Sequence, residues 1–366
     1  MRGRALQHCW LFNVKRSTDK AKMWIRRIFI SLITLILSDT RSVQSALSSG
    51  DLVSPDHLPL SMQLSSSIAG CPLFPQDNVW NARVDALPVL ANSGTYIGYI
   101  GANLPVHPDF GTEWEGAPIG IPYNIVPGNQ PRLPITFYYD DDSDPGPYPI
   151  PPNPLIEGGE NSDGDRHILI LDEDNCILYE VFDAWPQAGE SWEAGSGAIF
   201  DLNSNALRPD TWTSADAAGL AILPGLVRFD EVASGAINHA LRFTAPKTQG
   251  YIWPARHDAT TGVGPPLGMR FRLKANFDIQ GFSPQVQVIL TAMKIYGIIL
   301  ADNGSGWYIS GVPDTRWDDD ILVNELKRVQ GSDFEAVDES SLMVDPDSGQ
   351  VRRTDYSPTW LPLMLR

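Results

Sequence analysis

The chain has 366 residues, of which 44 are acidic and 27 are Lys or Arg, giving a formal net charge of −17. Nucleic acids and anionic membranes are therefore excluded as expected partners, because a strongly acidic protein repels polyanions. Hydrophobic residues make up 43% of the chain, which also holds 31 glycines and 30 prolines. This composition predicts a large core built from many short strands joined by turns rather than a helical bundle.

A segment near the N-terminus has the three-part pattern of a secretory signal peptide. Basic residues precede the apolar run 28–37, and small residues follow it up to Ala46. We predict that residues 1–46 are a removable leader, which starts at Met1 or at Met23. The apolar run is too short to span a bilayer comfortably, so the exported chain is predicted to have no stable membrane span. A retained signal anchor is the alternative.

Removing the leader makes the chain more acidic and leaves two cysteines. The leader holds nine basic and two acidic residues, so 18 basic and 42 acidic residues remain, a net charge of −24. Secretion predicts a disulfide between Cys71 and Cys176, because oxidising compartments favour bridges. Such a bridge closes a loop of about 100 residues and contributes up to roughly 4–5 kcal/mol of stability in the chain-entropy model. Two unpaired buried thiols are the alternative.

The chain after the leader divides into a linker, one domain and a tail. Residues 47–70 are Ser-rich without a sustained period and predict a flexible linker. A single β-rich domain is predicted over 71–335, followed by a weakly ordered tail at 336–366. The apolar runs in this domain are bounded by Pro and Gly, as in 120–128 and 131–140, and are typical of short strands. We predict an antiparallel β-sandwich, jelly-roll-like, with a few short helices packed on the sheets.

A long loop and a buried hairpin follow the first strands. The loop at 140–166 is rich in proline and acidic residues, and loops this long are commonly functional or disordered. The apolar runs 167–171 and 176–182 flank turn residues and predict a hairpin. Both faces of its strands are apolar, so we expect it to lie deep in the protein.

Further hairpins and helices are predicted toward the C-terminus. The Asn303-Gly304 dipeptide between two apolar runs is a strong signal for a hairpin. Another hairpin is predicted over 239–257. Val286, Ile289, Leu290 and Met293, at helical spacing in 283–297, predict a helix packed on a sheet. Shorter helical or irregular turns are expected at 213–226 and 318–329.

The hairpin over 239–257 would bring two histidines together. If its turn centres on Thr248, antiparallel pairing places His239 opposite His257, about 5.5 Å apart at Cβ. Trp253 would share their face, while Arg256 would point to the other face. Two imidazoles this close could bind a metal, share a proton or flank a substrate. Separate hydrogen bonds from each histidine to loops are the alternative.

Carboxylates are the other candidates for catalysis. Glu180 lies among apolar residues, where lost hydration would raise its pKa toward that of a general acid. A structural ion pair with an arginine is the alternative for this residue. Asp302, beside the Asn-Gly turn, is a candidate companion carboxylate or ordinary turn chemistry. Four further acidic candidates could not be ranked: Asp201, Asp216, Asp230 and Glu231.

The sequence has none of the common motifs for a nucleophilic serine, a catalytic zinc or a bound nucleotide. It lacks a nucleophile elbow, an H-E-x-x-H helix, a Walker A loop and a dinucleotide-binding fingerprint. We therefore predict no nucleotide cofactor and no metal. Calcium bound by the acidic runs 140–144 or 161–166 is the alternative, although neither has EF-hand spacing.

Export, an acidic β-rich domain, numerous aromatic residues and available carboxylates together favour a secreted carbohydrate-active enzyme. We predict a glycoside hydrolase that acts on an extracellular polysaccharide through Glu180, Asp302 and the two histidines. Substrate contacts are predicted from Tyr251, Trp253, Arg256 and Trp307. A polysaccharide lyase with a His or Tyr base and an arginine is one alternative. A non-catalytic carbohydrate-binding or surface protein is the other.

Overall fold

Strands are more abundant than helices in the part of the chain that the structure describes. The computed structural model describes residues 66–260 and 262–352, in which strands account for 28% and helices for 16%. The mainly β composition with few helices is thus confirmed. The predicted leader and the predicted linker as far as residue 65 lie outside the described residues.

The described residues form the following strands and helices. The strands are β1 (Ser67–Ile68), β2 (Cys71–Pro72), β3 (His107–Asp109), β4 (Glu113–Trp114), β5 (Ala117–Pro118), β6 (Tyr123–Val126), β7 (Ile135–Phe137), β8 (Ile168–Asp172), β9 (Ile177–Phe182), β10 (Trp185–Gln187), β11 (Ser191–Ala194), β12 (Ser196–Asp201), β13 (Leu241–Ala245), β14 (Arg270–Leu273), β15 (Ile298–Asn303), β16 (Tyr308–Ser310) and β17 (Phe334–Ala336). The α-helices are α1 (Ser93–Ile100), α2 (Phe229–Ser234), α3 (Pro284–Ile295) and α4 (Asp319–Leu326).

The first large sheet has four strands in the order β12, β9, β8 and β6. Its centre is the predicted hairpin of β8 and β9, in which Ile168 lies opposite Val181 and Asp172 opposite Ile177. All five residues of β8 are buried, because one face packs on the main core and the other on a second apolar cluster. The prediction that this hairpin lies deep is confirmed.

The second large sheet has six strands in the order β17, β14, β15, β13, β16 and β3. Its strand β13 runs parallel to β15 and antiparallel to β16, and β16 runs parallel to β3. The first sheet also contains a parallel pair, β6 with β8. The predicted antiparallel jelly-roll-like sandwich is not confirmed, because jelly rolls are built from antiparallel strands and both large sheets are mixed.

The hairpin predicted around Asn303-Gly304 is wrong. The two apolar runs do form β15 and β16, but these strands do not pair with each other because β13 lies between them. Gly304 donates its backbone N–H to the carbonyl of Ala245, at the end of the inserted strand. The dipeptide therefore marks a reversal of the chain, whereas a strand that is distant in sequence supplies the hydrogen bonds of the sheet.

The hairpin predicted over 239–257 is also wrong. Both edges of β13 are already occupied, by β15 and β16, so the residues after it have no free edge with which to pair. Tyr251 forms a bridge with Leu267 instead. His239 and His257 consequently do not face each other on a shared pair of strands.

The helix predicted within 283–297 is confirmed, and the segment 318–329, predicted as a helical or irregular turn, is mostly helical. In α3 the residues at helical spacing, Val286, Ile289, Leu290 and Met293, are all buried. The helix α4 falls within the predicted segment 318–329, and the Asp318 carboxylate caps it by accepting the backbone N–H of Ile321. The segment 213–226 is irregular apart from a short 3-10 helix at Leu223–Gly225.

The predicted disulfide joins Cys71 and Cys176, whose Cα atoms lie 5.3 Å apart. It ties β2 to the residue that precedes β9 and closes a loop that spans 105 positions. This bridge overturns the alternative of two free thiols. Residues 67–68, which were assigned to the predicted linker, pair with β2.

The C-terminal segment packs on the domain as far as the structure describes it. Leu342 and Val351 belong to the buried core, although both fall within the predicted weakly ordered tail, 336–366. Glu339 forms a buried ion pair with Arg270 at 2.9 Å. Residues 353–366 lie outside the described part. None of the described helices combines the length and the apolar character needed to cross a membrane.

Candidate functional site

A cluster of charged side chains connects the two large sheets. We refer to it as the acidic cluster, and its members are Asp109, Glu157, Asp165, His167, Asp302 and Arg242. Asp109, Arg242 and Asp302 lie on the six-stranded sheet, and His167 immediately precedes β8 of the four-stranded sheet. The other two members come from the long loop 140–166.

Arg242 is the buried cation of this cluster. Its neighbours in β13, Leu241 and Phe243, point into the apolar core, and strand alternation directs Arg242 to the opposite face. The guanidinium donates two hydrogen bonds to Asp216, at 2.7 and 2.8 Å, and one to Asp302 at 2.8 Å. These carboxylates outweigh the effect of burial and raise the pKa of Arg242, which keeps it charged.

A β-bulge places Asp302 on the face of Arg242. Leu300 lies opposite Phe243, whereas Asp302 lies opposite Thr244, so Ala301 is the additional residue. Without the bulge, strand alternation would keep Asp302 in phase with Leu300 and direct it to the apolar face. Burial and the charge of Asp216 raise the pKa of Asp302 despite the opposing effect of Arg242.

The irregular segment 213–226 supplies the contacts between the sheets. Asp216 is its charged residue and accepts from Arg242 of the six-stranded sheet. The carbonyl of Ala215 accepts from His167, beside the four-stranded sheet. Because the segment has little regular structure, its backbone groups are free to bind side chains from both sides.

His167 and Glu157 form a short ion pair at the edge of the cluster. The Nδ1 of His167 lies 2.5 Å from the Glu157 carboxylate, and Nε2 lies 3.0 Å from the carbonyl of Ala215. Both acceptors require a proton on the facing nitrogen, so the geometry fits a charged imidazolium. Burial alone would lower the pKa of His167, but the charge of Glu157 raises it to about 9.

The pKa of Asp109 is shifted in the opposite direction to that of Glu157. Burial, followed by the negative charge of Glu157, raises the pKa of Asp109 to about 6, with Arg242 opposing. Burial also tends to raise the pKa of Glu157, but the charge of His167 outweighs it and lowers that pKa below its usual value. The side chain of Asp109 nevertheless keeps contact with solvent.

Glu180 is buried on the same side of the four-stranded sheet but is closed to solvent. Its carboxylate accepts the backbone N–H groups of Ile222 and Leu223 at 2.9–3.0 Å. Burial raises its pKa to about 7, although these hydrogen bonds oppose the shift. The expectation of a desolvated carboxyl agrees with this position. Because the side chain is 0% exposed, however, no substrate can reach it.

The two predicted histidines lie in separate surroundings. His239 is buried, and its Nε2 lies 3.1 Å from both Glu231 and Arg228. His257 donates from Nδ1 to the carbonyl of Ala217 at 2.9 Å. Each imidazole is thus held by nearby structural contacts, which was the alternative to a shared site.

The predicted substrate-binding residues also lie apart from the acidic cluster. Trp253 donates its indole N–H to the carbonyl of Ser348, and Arg256 pairs with Asp347 at 2.7 Å. Tyr251 donates to Asp210 at 3.1 Å. These three side chains therefore anchor the C-terminal segment and the loop near residue 210.

Trp307 is a core residue and not a surface for a ligand. It is fully buried, and its ring stacks on Phe243 and Phe334 at centroid distances of 5.5 and 5.1 Å. Its indole N–H donates to the carbonyl of Gly101. Substrate contact by this ring, as predicted from sequence, is incompatible with its position.

The sequence analysis missed most of the acidic cluster. Of its six members, Asp302 alone was a named catalytic candidate; Asp216, which pairs with Arg242 of the cluster, was among the unranked acids. The one usable signal was the long loop 140–166, flagged as functional or disordered, because Glu157 and Asp165 lie within it. Asp109 and Arg242 lie in strands whose sequences carry no motif for a site, and the pairing of strands that are distant in sequence brings them together.

Three members of the cluster are close enough to hold a metal ion. Among the described residues, ligand atoms of Glu157, Asp165 and His167 lie within 4.8 Å of one another. Both ring nitrogens of His167 already face acceptors, however, so a metal would have to displace one of those protons. The geometry therefore favours an ion pair. Calcium, which prefers all-oxygen ligand sets, stays a prediction of the sequence alone.

A groove of about 650 Å³ is lined by residues on both sides of Glu157 in the sequence, Ile156 and Gly159. Its other wall is formed by the segment 312–316, after β16. A volume of this size is within the usual range for small-molecule sites. We refer to it as the proline groove because four prolines contribute to its lining: Pro118, Pro122, Pro154 and Pro313.

Comparisons with protein-family models, with curated proteins and with solved structures found no match for this chain.

Proposed function

We propose that the chain is a secreted glycoside hydrolase whose catalytic pair is Asp109 and Glu157. The observation that carries this proposal is that His167 holds the Glu157 carboxylate at 2.5 Å while Asp109, in the same cluster, is exposed to solvent. In agreement with these positions, the pKa of Asp109 is raised to about 6 and that of Glu157 is lowered. Two carboxyls whose surroundings separate their pKa values are the usual arrangement for one acid and one ionised partner. This pair replaces Glu180 and the two histidines, which the sequence had suggested.

In this mechanism Asp109 is the general acid. Its proton passes to the glycosidic oxygen as the bond between that oxygen and the anomeric carbon breaks. The accessible position of Asp109 allows a substrate to approach it, which the buried Glu180 does not allow. Arg242 opposes the rise in the pKa of Asp109, so the acid remains strong enough to give up its proton.

Glu157 is the ionised partner in the same mechanism. It either takes a proton from the attacking water or attacks the anomeric carbon itself, as in inverting and retaining enzymes respectively. His167 acts on Glu157 and is a positioning residue, because its imidazolium holds the carboxylate in one orientation at 2.5 Å. It also keeps Glu157 ionised at pH values where Asp109 is still protonated.

Export is part of the proposal. The disulfide between Cys71 and Cys176 suits an oxidising compartment, and the sequence of residues 1–46 has the pattern of a signal peptide. When the full chain is expressed in a secreting host, the protein in the culture medium is expected to begin after residue 46. A form retained on the membrane with an intact N-terminus would contradict export and support the anchor alternative.

The experiment for hydrolysis is a reducing-end assay of the exported chain on a panel of neutral, basic and acidic polysaccharides. Asp109→Asn is expected to lower kcat at least about 100-fold, because general acid catalysis is lost. Asp141→Asn is the matched control, since Asp141 is an exposed aspartate outside the cluster. Activity is expected to fall as the pH rises through about 6, where Asp109 loses its proton.

The same assay separates the alternatives. Release of no reducing ends from any polysaccharide, or full activity in Asp109→Asn, would contradict the proposed hydrolysis. An unsaturated product that absorbs in the ultraviolet would indicate a lyase instead. Binding without turnover would indicate a carbohydrate-binding protein, and the proline groove is the observation that favours this second candidate.

A further inference from the structure

The proline groove combines apolar walls with an excess of negative charge. Its lining includes the half-buried ring of Tyr123 and four prolines, of which Pro122 is buried and the other three expose apolar ring atoms. Its charged members are Glu160, Asp230, Asp314 and Arg316. Three carboxylates and one guanidinium leave a net charge of −2.

The single cation of the groove is already neutralised. Arg316 forms ion pairs with Asp230 at 2.8 Å and with Asp314 at 2.5 Å, and its guanidinium lies 4.3 Å from the ring centroid of Phe229. An anionic ligand would have to break these contacts. The carboxylate of Glu160 has no hydrogen-bond or ion-pair partner among the residues described by the structure, and it is exposed to solvent.

The groove and the acidic cluster share one stretch of chain. Residues 154–160 contribute five residues to the lining of the groove, and the same stretch carries Glu157. In the cluster the carboxylates of Glu157 and Asp165 lie beside the cations His167 and Arg242. The excess negative charge that a ligand meets is therefore that of the groove itself, from Glu160, Asp230 and Asp314.

We propose that the proline groove binds the sugar units of a cationic polysaccharide, one whose residues carry free amino groups in place of hydroxyl or acetamido groups. The proposal rests on the proposed glycoside hydrolysis, for which it names the class of substrate. Ammonium groups complement the net charge of the groove, and Tyr123 and the prolines contact the apolar faces of the sugar rings. A neutral glycan gains nothing from the carboxylates, and an acidic glycan is repelled by them.

The experiment compares two oligosaccharides that differ at the C2 nitrogen, a glucosamine oligomer with free amino groups and its fully N-acetylated, uncharged form. Binding is measured by calorimetry with the exported Asp109→Asn chain, so that no turnover interferes. The pH is about 5, where the amines are protonated. The glucosamine oligomer is expected to bind roughly tenfold more tightly, since a few exposed ion pairs contribute about this factor. The preference is expected to shrink as salt is added.

Variants locate the preference in the groove. In the same background, Glu160→Gln with Asp230→Asn is expected to abolish the difference between the two oligomers, whereas Asp141→Asn is expected to retain it. Equal affinities, a preference for the acetylated oligomer, or a preference unaffected by the double substitution would each overturn the proposal. Circular dichroism of each variant shows that its fold is retained.

The outcomes distinguish this proposal from the hydrolysis on which it rests. A charge preference without release of reducing ends from the glucosamine oligomer by the unmodified chain would refute hydrolysis and leave the assignment of the groove intact. Cleavage of a neutral polysaccharide without any charge preference would refute the assignment of the groove and leave hydrolysis intact.

Discussion

Phe243 and Arg242 are neighbours in β13, but their side chains lie in opposite surroundings. Phe243 stacks against Trp307 with the two rings 9° from parallel and meets Phe271 edge-on at 5.5 Å. Arg242 lies among the carboxylates of Asp216 and Asp302. The apolar face stabilises the fold by removing surface from water, whatever the pH. The charged face is stable only while its partners are all present and ionised, because an unpaired buried charge is costly.

The largest expected effect is on the apolar face. Phe243→Ala should lower the free energy of unfolding by about 3–5 kcal/mol, because it removes a buried ring and leaves a cavity. Since no charge is involved, the loss should be the same at neutral and at mildly acidic pH. Urea denaturation at both pH values measures it, and a loss that varies with pH would contradict this account.

Arg242→Met is expected to cost about 3–4 kcal/mol at neutral pH, since it leaves Asp216 and Asp302 buried without their cation. Unlike the loss in Phe243→Ala, this one should shrink as the pH falls, because Asp302, whose pKa is raised, takes up a proton. The triple variant Arg242→Met, Asp216→Asn and Asp302→Asn is the control. It should recover part of the stability at neutral pH, and no recovery would show that packing rather than charge dominates this face.

The ion pair of His167 and Glu157 predicts a pH window of stability. The folded-state pKa of His167, about 9, is raised above 6.5, so its contribution is complete below about pH 6.5 and is lost as the pH rises through about 9. The pKa of Glu157 is lowered below 4.5, so its contribution is present above that value and is lost as the pH falls further.

His167→Gln should therefore destabilise the protein by roughly 2–3 kcal/mol between about pH 4.5 and 6.5, and by less outside this window. Chemical denaturation across the pH range compares the variant with the unmodified chain. A difference that is constant with pH would show that the imidazole is held by packing and not by its charge.

The smallest effect is expected for Glu180→Gln. The pKa of Glu180 is raised from 4.5 to about 7, so its stabilising contribution is complete below about pH 4.5 and is lost as the pH rises through about 7. Near pH 5 the substitution should change the free energy of unfolding by less than about 1 kcal/mol, because the amide oxygen can still accept from Ile222 and Leu223. Above about pH 7 the variant should gain relative stability.

Glu180→Gln also tests the prediction of this residue as the general acid. A carboxyl closed to solvent cannot reach a substrate, so the reducing-end activity of the variant should equal that of the unmodified chain. A loss of kcat as large as that expected for Asp109→Asn would show that Glu180 takes part in catalysis and would contradict this account.

Local patterns were sufficient for several elements of the fold. Apolar runs on both faces identified β8 and β9 as a buried hairpin, and residues at helical spacing identified α3. The choice of cysteine pair followed from the number of cysteines left after the leader. These features depend on residues that are close in sequence, or on a pairing for which just one partner exists.

The candidate site could be predicted much less well. Glu180 was expected to be desolvated and is, yet the depth of its burial removes it from any substrate. Asp109 gives no signal in its own strand, because its raised pKa arises from burial by the tertiary structure and then from Glu157, 48 positions away in the sequence. Shifts of this kind require the distance between groups, which a single sequence does not contain.

The sequence by itself determined that this chain forms a mainly β domain with a buried hairpin, a helix within 283–297 and one disulfide. The tertiary structure decided that β13 inserts between β15 and β16 and that a bulge at Ala301 directs Asp302 toward Arg242. The physical reason is that side-chain periodicity specifies which residues form a strand and which face is apolar. Hydrogen bonds between strands carry no such local pattern, and these bonds decide which charges meet.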